Sequence, residues 1–391
     1  MSTTAIFVGC APSFVFRSSL VLVEYSACLL PPLLHRNDHE LSMGRDVDLS
    51  ALKKRLQDHL GDGLVLVIGS GLSCAEGVPG MVALGHHLVT HIPAILSEED
   101  SKLWEEIHPL IASEGLEAAL LKRAPSPSLE AAIVQGTADF IAESEAAIIS
   151  EVFNNSRKLR LTALIPHLLR PDAGIPIVTT NYDRLAELAC EEAGLGVDTM
   201  FCGHFAAKLH PKESYWSFCR NVKLVGRNVR YTFAPKANVF KPHGSLDWYH
   251  RDGNPVRYAG VLPLPRLIIT PGLNKFRNGY ESPFDKHREK ANDAIDKARR
   301  FLIIGYGFND DHLETHLTPR IKSGVSTVIV TFSLSDKARD ISINNGNVIA
   351  IEACDIEGVN GSNIIIEGKE IFYPGIDYWD LQGFVNGVLA T

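Results

Sequence analysis

The sequence predicts an α/β fold built on a doubly wound parallel sheet, with a helical insertion and a loop-rich small layer. Two patterns point to it. Short, continuous apolar runs, such as strands buried on both faces of a parallel sheet show, alternate with amphipathic helical stretches. Glycine-bearing or polar turns then come directly after several of those runs, where open α/β sheets hold their ligands. With 391 residues, 45% hydrophobic and 21% charged, the chain can bury such a core.

Taken in order, residues 1–42 differ from the rest of the chain. Apolar patches at 20–23 and 29–34 are broken by Arg17, Glu24 and a proline pair, short of the roughly 20 residues that span a bilayer. No basic n-region precedes them. This segment is expected to be a poorly ordered or spurious extension, followed by one domain from 43 to 355. Its first helix is marked by Leu49, Leu52, Leu56 and Leu60 on one face. Strands are expected at 64–68, 175–180, 301–304, 326–332 and 347–352, and helices at 183–193, 284–300 and 336–344. Residues 94–168 are helix-forming without strand signals, and read as an insertion. Residues 195–262, with Gly, Pro and aromatics, read as a loop-rich layer over the sheet. Beyond 355 a short tail carrying Trp379, Leu381 and Phe384 is expected, open to a role in assembly.

A formal charge of -8 without a Lys/Arg block argues against direct nucleic-acid binding. Seven scattered cysteines, never spaced Cys-x-x-Cys, suggest free thiols in a reducing cytoplasm, with neither a disulfide frame nor a zinc knot. A cytoplasmic protein without membrane partners or metal is the expectation.

Three motifs carry candidate chemistry. After the first apolar run comes Gly69-Ser70-Gly71-Leu72-Ser73, with Gly77 beyond. Glycines at 69 and 71 allow a tight turn and a close approach to pyrophosphate, and a helix starting near Ser73 would aim N–H groups at negative charge. The dinucleotide fingerprint is broken, since Cys74 stands where its third glycine belongs, and no acidic residue follows at the ribose-binding distance. A hydride-transferring dehydrogenase is therefore disfavoured. The second motif, Thr179-Thr180-Asn181-Tyr182-Asp183, places an amide and a carboxylate at a strand end, where a helix cap is the plainer role. The third, Lys241 to Trp248, sets His243 before a glycine, where a neutral imidazole can act as a general base. His312 and His316 have metal-ligand spacing, but Asp310 capping a helix explains that cluster more simply. Trp216, Phe218, Trp248 and Tyr249 read as the core of the small layer.

In this order the three motifs resemble those of the sirtuins that close over NAD, and Leu302 to His312 (LIIGYGFNDDH) resembles the family's later cofactor strand and turn. The resemblance covers roughly residues 62–355. It implies a Rossmann-like, sirtuin-type sheet, with Asn181 and His243 acting at the nicotinamide ribose and Asp183 holding the nicotinamide amide. It further implies that Gly69, Ser70, Gly71, Ser73 and Gly77, with Thr180 and the turn Gly305, Tyr306, Gly307 and Asp310, cradle the cofactor, and that Phe332 and Ser333 meet the adenosine.

Departures from the family narrow the expectation. Where its protein deacylases carry an acidic-Phe-Arg sequence, this chain has Gly80-Met81-Val82, and their zinc-binding Cys-x-x-Cys pairs are absent. What remains looks like the sirtuin-like NAD hydrolases (NADases) of prokaryotic antiviral defence. The resemblance therefore implies NAD as substrate, released as nicotinamide and ADP-ribose, in an effector held quiet until triggered. By that analogy the chain would be a homo-oligomer, and the trigger could be a HerA-like hexameric DNA-translocating ATPase. An NAD-dependent deacylase or ADP-ribosyltransferase is the alternative, and a non-catalytic NAD or ADP-ribose sensor the second. Intact Asn181 and His243 argue against a sensor.

Overall fold

The structure, a computed structural model, describes residues 42–43, 48–270 and 281–390. The expected extension therefore lies outside the described residues, apart from Ser42. One ten-stranded sheet organises the rest. Leu64–Ile68 lies inside it, with Ile175–Thr179, Lys236–Phe240 and Gly196–Asp198 parallel on one side. On the other side Arg300–Ile304, Ser326–Val330 and Val348–Ile356 follow, also parallel. The strand order reverses between Leu64–Ile68 and Arg300–Ile304, and such a switch point opens a crevice at the carboxyl ends. The expected doubly wound parallel arrangement is present.

Composition explains the central strands. Leu66 and Ile68 enter one apolar core, shared with Leu52, Leu56 and the insertion residues Ile141 and Ile148. Val65 and Val67 enter the other, beneath the helix Phe284–Lys297 through Ala291 and Ile295. That helix ends before Arg300, the expected boundary, because the Arg299 and Arg300 N–H groups donate to the Gly63 carbonyl and draw the chain into the sheet. The 94–168 insertion is helical as expected, with Glu98–Glu114, Leu116–Lys122 and Pro127–Phe153 packed around Trp104, Ile107 and Leu129.

Two expectations need correction. Residues 195–262 are rich in strands. They supply Gly196–Asp198 and Lys236–Phe240 to the main sheet, four of the five strands of a small antiparallel sheet, and a separate hairpin of Cys219–Val225 with Asn228–Phe233. Trp248 and Tyr249 are buried there, whereas Trp216 is partly exposed beside the hairpin. Residues 356–390, the described part of the expected tail 356–391, do not form a tail either. Val359–Ile366 and Lys369–Pro374 extend the main sheet antiparallel, and Leu381, Phe384 and Val388 enter its core. The overlooked signal was local. Glu357-Gly358 and Glu367-Gly368 all have positive φ, 53° and 81° then 53° and 75°, as two-residue hairpin turns require.

The glycines after the two central strands pack on one another. Gly69 and Gly71 donate to the carbonyls of Ile304 and Gly305, both at 2.9 Å. A Cβ on Gly305 (φ 57°) would stand 2.5 Å from the Leu72 nitrogen, and one on Gly69 would stand 2.4 Å from the Gly305 oxygen. Gly358 also has positive φ but nothing within 4 Å of its Cβ position. Gly358→Ala is thus expected to cost about 1–2 kcal/mol, the left-handed penalty alone. Gly305→Ala should cost clearly more. Urea unfolding of both variants decides it, and equal losses would remove the packing role assigned to Gly305.

Candidate active site

The crevice at the switch point is a cavity of about 370 Å³. Ser70, Ser73, Thr180, Asn181 and Asp183 line it from one side of the reversal and from the adjoining strand end. His243, Tyr306, Gly307 and Asp310 close it from above, and Glu117 and Ile141 of the helical insertion form part of its wall. Gly69, Gly71 and Gly305 stand behind this lining, consumed in contact with each other. The helix after Gly69 begins at Ser70, earlier than expected, and its Gly71 N–H is already bound to Gly305. Gly77 turns the chain at φ 101° outside the cavity lining. Phe332 packs edge-on against Trp379, the Ser333 carbonyl accepts from Thr331, and neither lines this cavity.

Asn181 follows the strand Ile175–Thr179. Its Nδ2 donates to the Gly69 carbonyl (2.9 Å) and to Ser73 Oγ (2.8 Å), and the Ser73 hydroxyl donates to Asp183 Oδ2 (2.7 Å). A carbonyl can only accept, so the amide nitrogen must face Gly69, which leaves Asn181 Oδ1 as its remaining polar atom. Asn181 therefore offers the cavity an acceptor rather than both functions. Asp183 Oδ1 accepts from the Leu185 N–H (3.2 Å) in a turn just ahead of the helix Leu185–Glu192, whose N-cap position is Arg184 rather than Asn181 or Asp183. Burial holds the Asp183 carboxyl above its ordinary range, against the opposing pull of Lys241 and the Ser73 hydroxyl.

His243 is placed by a strand whose polar residues conceal it in the sequence. It follows Lys236–Phe240, which lies beside the Asn181 strand, and is therefore at a carboxyl end of the main sheet instead of in a covering layer. Its Nε2 lies 2.6 Å from Asp310 Oδ2, while Asp310 Oδ1 accepts from the Leu313 N–H (2.9 Å) as the cap of the helix Asp311–Lys322. A carboxylate at Nε2 fixes the ring and leaves Nδ1 as the nitrogen able to take a proton. No linear signal marks this pairing. His316 points elsewhere, to Asp296 at 2.9 Å, and no group of three or more metal-ligating side chains occurs among the described residues.

Two buried charges hold the Asn181 loop, and neither was anticipated. Lys241, fully buried, donates to the carbonyls of Tyr182 (3.4 Å) and Asp183 and pairs with Glu187 (3.0 Å). It thereby ties the His243 loop to the Asn181 loop. From the insertion, the buried Glu145 accepts from the Arg184 N–H at 2.5 Å and from the Arg184 guanidinium. Tyr182 completes the clamp, its hydroxyl donating to the Ile269 carbonyl (2.6 Å).

Residues 176–342 match the family model of the SIR2-like domain. That stretch contains Asn181, Asp183, His243 and Asp310, while the Gly69 turn precedes it. Similar solved structures include one described as the structural basis for the mechanism and regulation of Sir2 enzymes, at 12% identity and TM-score 0.36, covering 75% of this chain and 90% of that one. Another is Sir2 bound to an acetylated peptide, at 13% identity and TM-score 0.31, covering 73% and 89%. No curated protein matches the sequence. No helix among the described residues is long and apolar enough to cross a membrane.

Lys241→Met would strand Glu187 and the Asp183 carbonyl, whereas the Tyr182 carbonyl keeps the Leu246 N–H (3.0 Å), and breaking a buried pair typically costs about 3–5 kcal/mol. Adding Glu187→Gln is expected to restore part of that loss in urea unfolding, and simple additivity would argue against the pairing. For Asp183 the sign follows from its raised carboxyl. The folded state holds the proton more tightly than the unfolded one, so the acid form favours folding as pH falls through that window. The stability of the wild type relative to Asp183→Asn should therefore increase between pH 7 and pH 4, and a constant difference would contradict the burial effect.

Proposed function

We propose that this chain is an NAD+ hydrolase that releases nicotinamide and ADP-ribose. The observation that carries the reading is the convergence of an acceptor on Asn181, a carboxylate-oriented His243 and the Ser73–Asp183 pair on one cavity at the switch point. The SIR2-like match over 176–342 supports NAD as the substrate.

Cleavage of the N-glycosidic bond expels nicotinamide and builds positive charge at the ribose C1 carbon. The site must hold the ring, exclude bulk water and place a single attacking water. Asn181 Oδ1 orients that water or a ribose hydroxyl by accepting from it. His243 Nδ1 removes the water's proton, with Asp310 stabilising the imidazolium that results, a contribution typically of about 10²- to 10⁴-fold. Asp183, with its oxygens already anchored by Ser73 and Leu185, accepts from the nicotinamide amide through a remaining lone pair. The backbone around Gly307 and Ser70 faces the phosphates, and Phe332 and Ser333 lie at the next strand end, toward the adenosine.

The hydrolase reading is preferred to acyl transfer for two reasons. Met81 stands at the cavity edge where deacylases of the sirtuin family carry their acidic-Phe-Arg sequence, and the chain has no Cys-x-x-Cys pair. Unchecked NAD loss would harm its own cell, and by the resemblance to the NADases of antiviral defence the activity is that of an antiphage effector, switched on by assembly of the chain or by a partner such as a HerA-like ATPase.

Chromatography of NAD incubated with the purified chain tests this reading. We expect nicotinamide and ADP-ribose to appear without any acetylated peptide. His243→Ala and Asn181→Ala should each slow release by about 10²-fold or more. Asp310→Asn should slow it roughly as severely with NAD binding retained. Release that requires an acetylated peptide and yields an acylated ADP-ribose would replace hydrolysis with deacylation. If the chain is inert alone, the same assay with lysate of the native host should restore release. Binding without turnover under both conditions would make the chain a sensor.

A further inference from the structure

A second, larger cavity of about 1030 Å³ lies away from the candidate active site. It opens at the amino ends of Leu64–Ile68 and Ile175–Thr179, opposite the ends that carry Gly69 and Asn181, and runs beside Lys236–Phe240 and the helix Phe284–Lys297. Its interior is apolar, formed by Leu168, Ile175, Met200, Phe240, Ala294 and Ala298. A concave apolar space of this volume is of the kind that holds small molecules, whereas flat faces are typical of subunit contacts.

The charges at its rim do not cancel. Each acid lining the cavity is already engaged: Asp62 by Arg299 (2.8 Å), Asp293 by Lys290 (3.4 Å) and Asp198 by Lys236 (2.7 Å). Arg170, Lys212 and Lys297 also line it, all exposed, and none pairs with a carboxylate among the described residues. Three cations beside an apolar interior complement a ligand with an apolar body and an anionic head. We propose that this cavity binds a long-chain carboxylate, with its chain among Leu168, Met200 and Phe240 and its head at Arg170, Lys212 and Lys297. The site is independent of NAD chemistry, and its test does not depend on turnover.

Calorimetric titration of the full chain with laurate, below its micelle concentration, is the experiment. Saturable binding of one laurate per chain is expected, weakening roughly fourfold for each methylene removed on going to decanoate. Dodecanol, with the same chain and no charge, should bind at least tenfold more weakly. Lys212→Glu combined with Lys297→Glu, both on the surface, should weaken laurate by a similar factor, and Ala294→Trp should fill the space and abolish binding. NAD cleavage by the charge-reversed variant should be unchanged. No saturable laurate binding, equal affinity for dodecanol, or full affinity in the charge-reversed variant would each overturn the proposal. So would sedimentation showing that Ala294→Trp splits an oligomer of laurate-free protein, since the cavity would then be an interface between copies. A poorly folded Ala294→Trp variant leaves the dodecanol and charge-reversal arms to decide.

Discussion

Everything at the switch point depends on a backbone contact in which no side chain fits. Leu64–Ile68 and Arg300–Ile304 run side by side, and their continuations cross close enough that Gly71 donates to Gly305 while the Gly305 Cα meets Gly71. The cost of glycine is its unfolded-state freedom, and its use here is approach. Two turns seated on each other share one geometry, so the Gly69 carbonyl that accepts from Asn181 is fixed by the far strand as much as by its own. The glycines thus shape the cavity indirectly. They set the floor, and the Gly69 and Gly71 N–H groups that a phosphate cradle would use are already spent on protein.

On that floor the second constraint is electrostatic. The Asn181 loop turns the carbonyls of the half-buried Tyr182 and the buried Asp183 inward, and Lys241 donates to both from a position with no access to water. A buried ammonium is tolerable only when its three donors find acceptors, and Glu187 supplies the third and the balancing charge. Glu145 does the same for Arg184 from the insertion side. The loop is therefore held between two buried ion pairs from different parts of the chain. This makes the helical insertion part of the site's framework, beyond its role as a covering layer.

Legibility in the sequence followed the physics of each element. Parallel strands buried on both faces announce themselves as unbroken apolar runs, and Leu64–Ile68, Arg300–Ile304 and Ser326–Val330 were readable for that reason. Lys236–Phe240 was not, because its lysine and asparagine are polar, yet Lys236 is buried against Asp198 and beneath the rings of Tyr215 and Phe218. Val359–Ile366 was missed because Gly361, Ser362 and Asn363 look like a loop. In the fold Ser362 caps a carbonyl, and Asn363 joins Arg339, Glu352 and Glu370 in a buried network. The motif residues Ser73, Asn181, Asp183 and His243 line one cavity, but the groups that orient them, Lys241, Glu145 and the Asp310 carboxylate, are brought in by tertiary pairing alone.

The strand order also explains why His243 and Asp310 can close a cavity. Their parent strands, Lys236–Phe240 and Arg300–Ile304, are separated by Leu64–Ile68 and Ile175–Thr179. Three strand spacings amount to about 14 Å, yet the imidazole and carboxylate meet at 2.6 Å. The two loops must therefore arch inward over the intervening strand ends, and the space they enclose is the one that Asn181 and Ser73 line from below. The pair is a roof as well as a close polar contact. An imidazole held by Asp310 is held only while that roof is in place, so closure of the cavity and alignment of His243 occur together. Separating the loops would undo both at once, and the geometry thereby couples the orientation of one side chain to the position of two halves of the sheet.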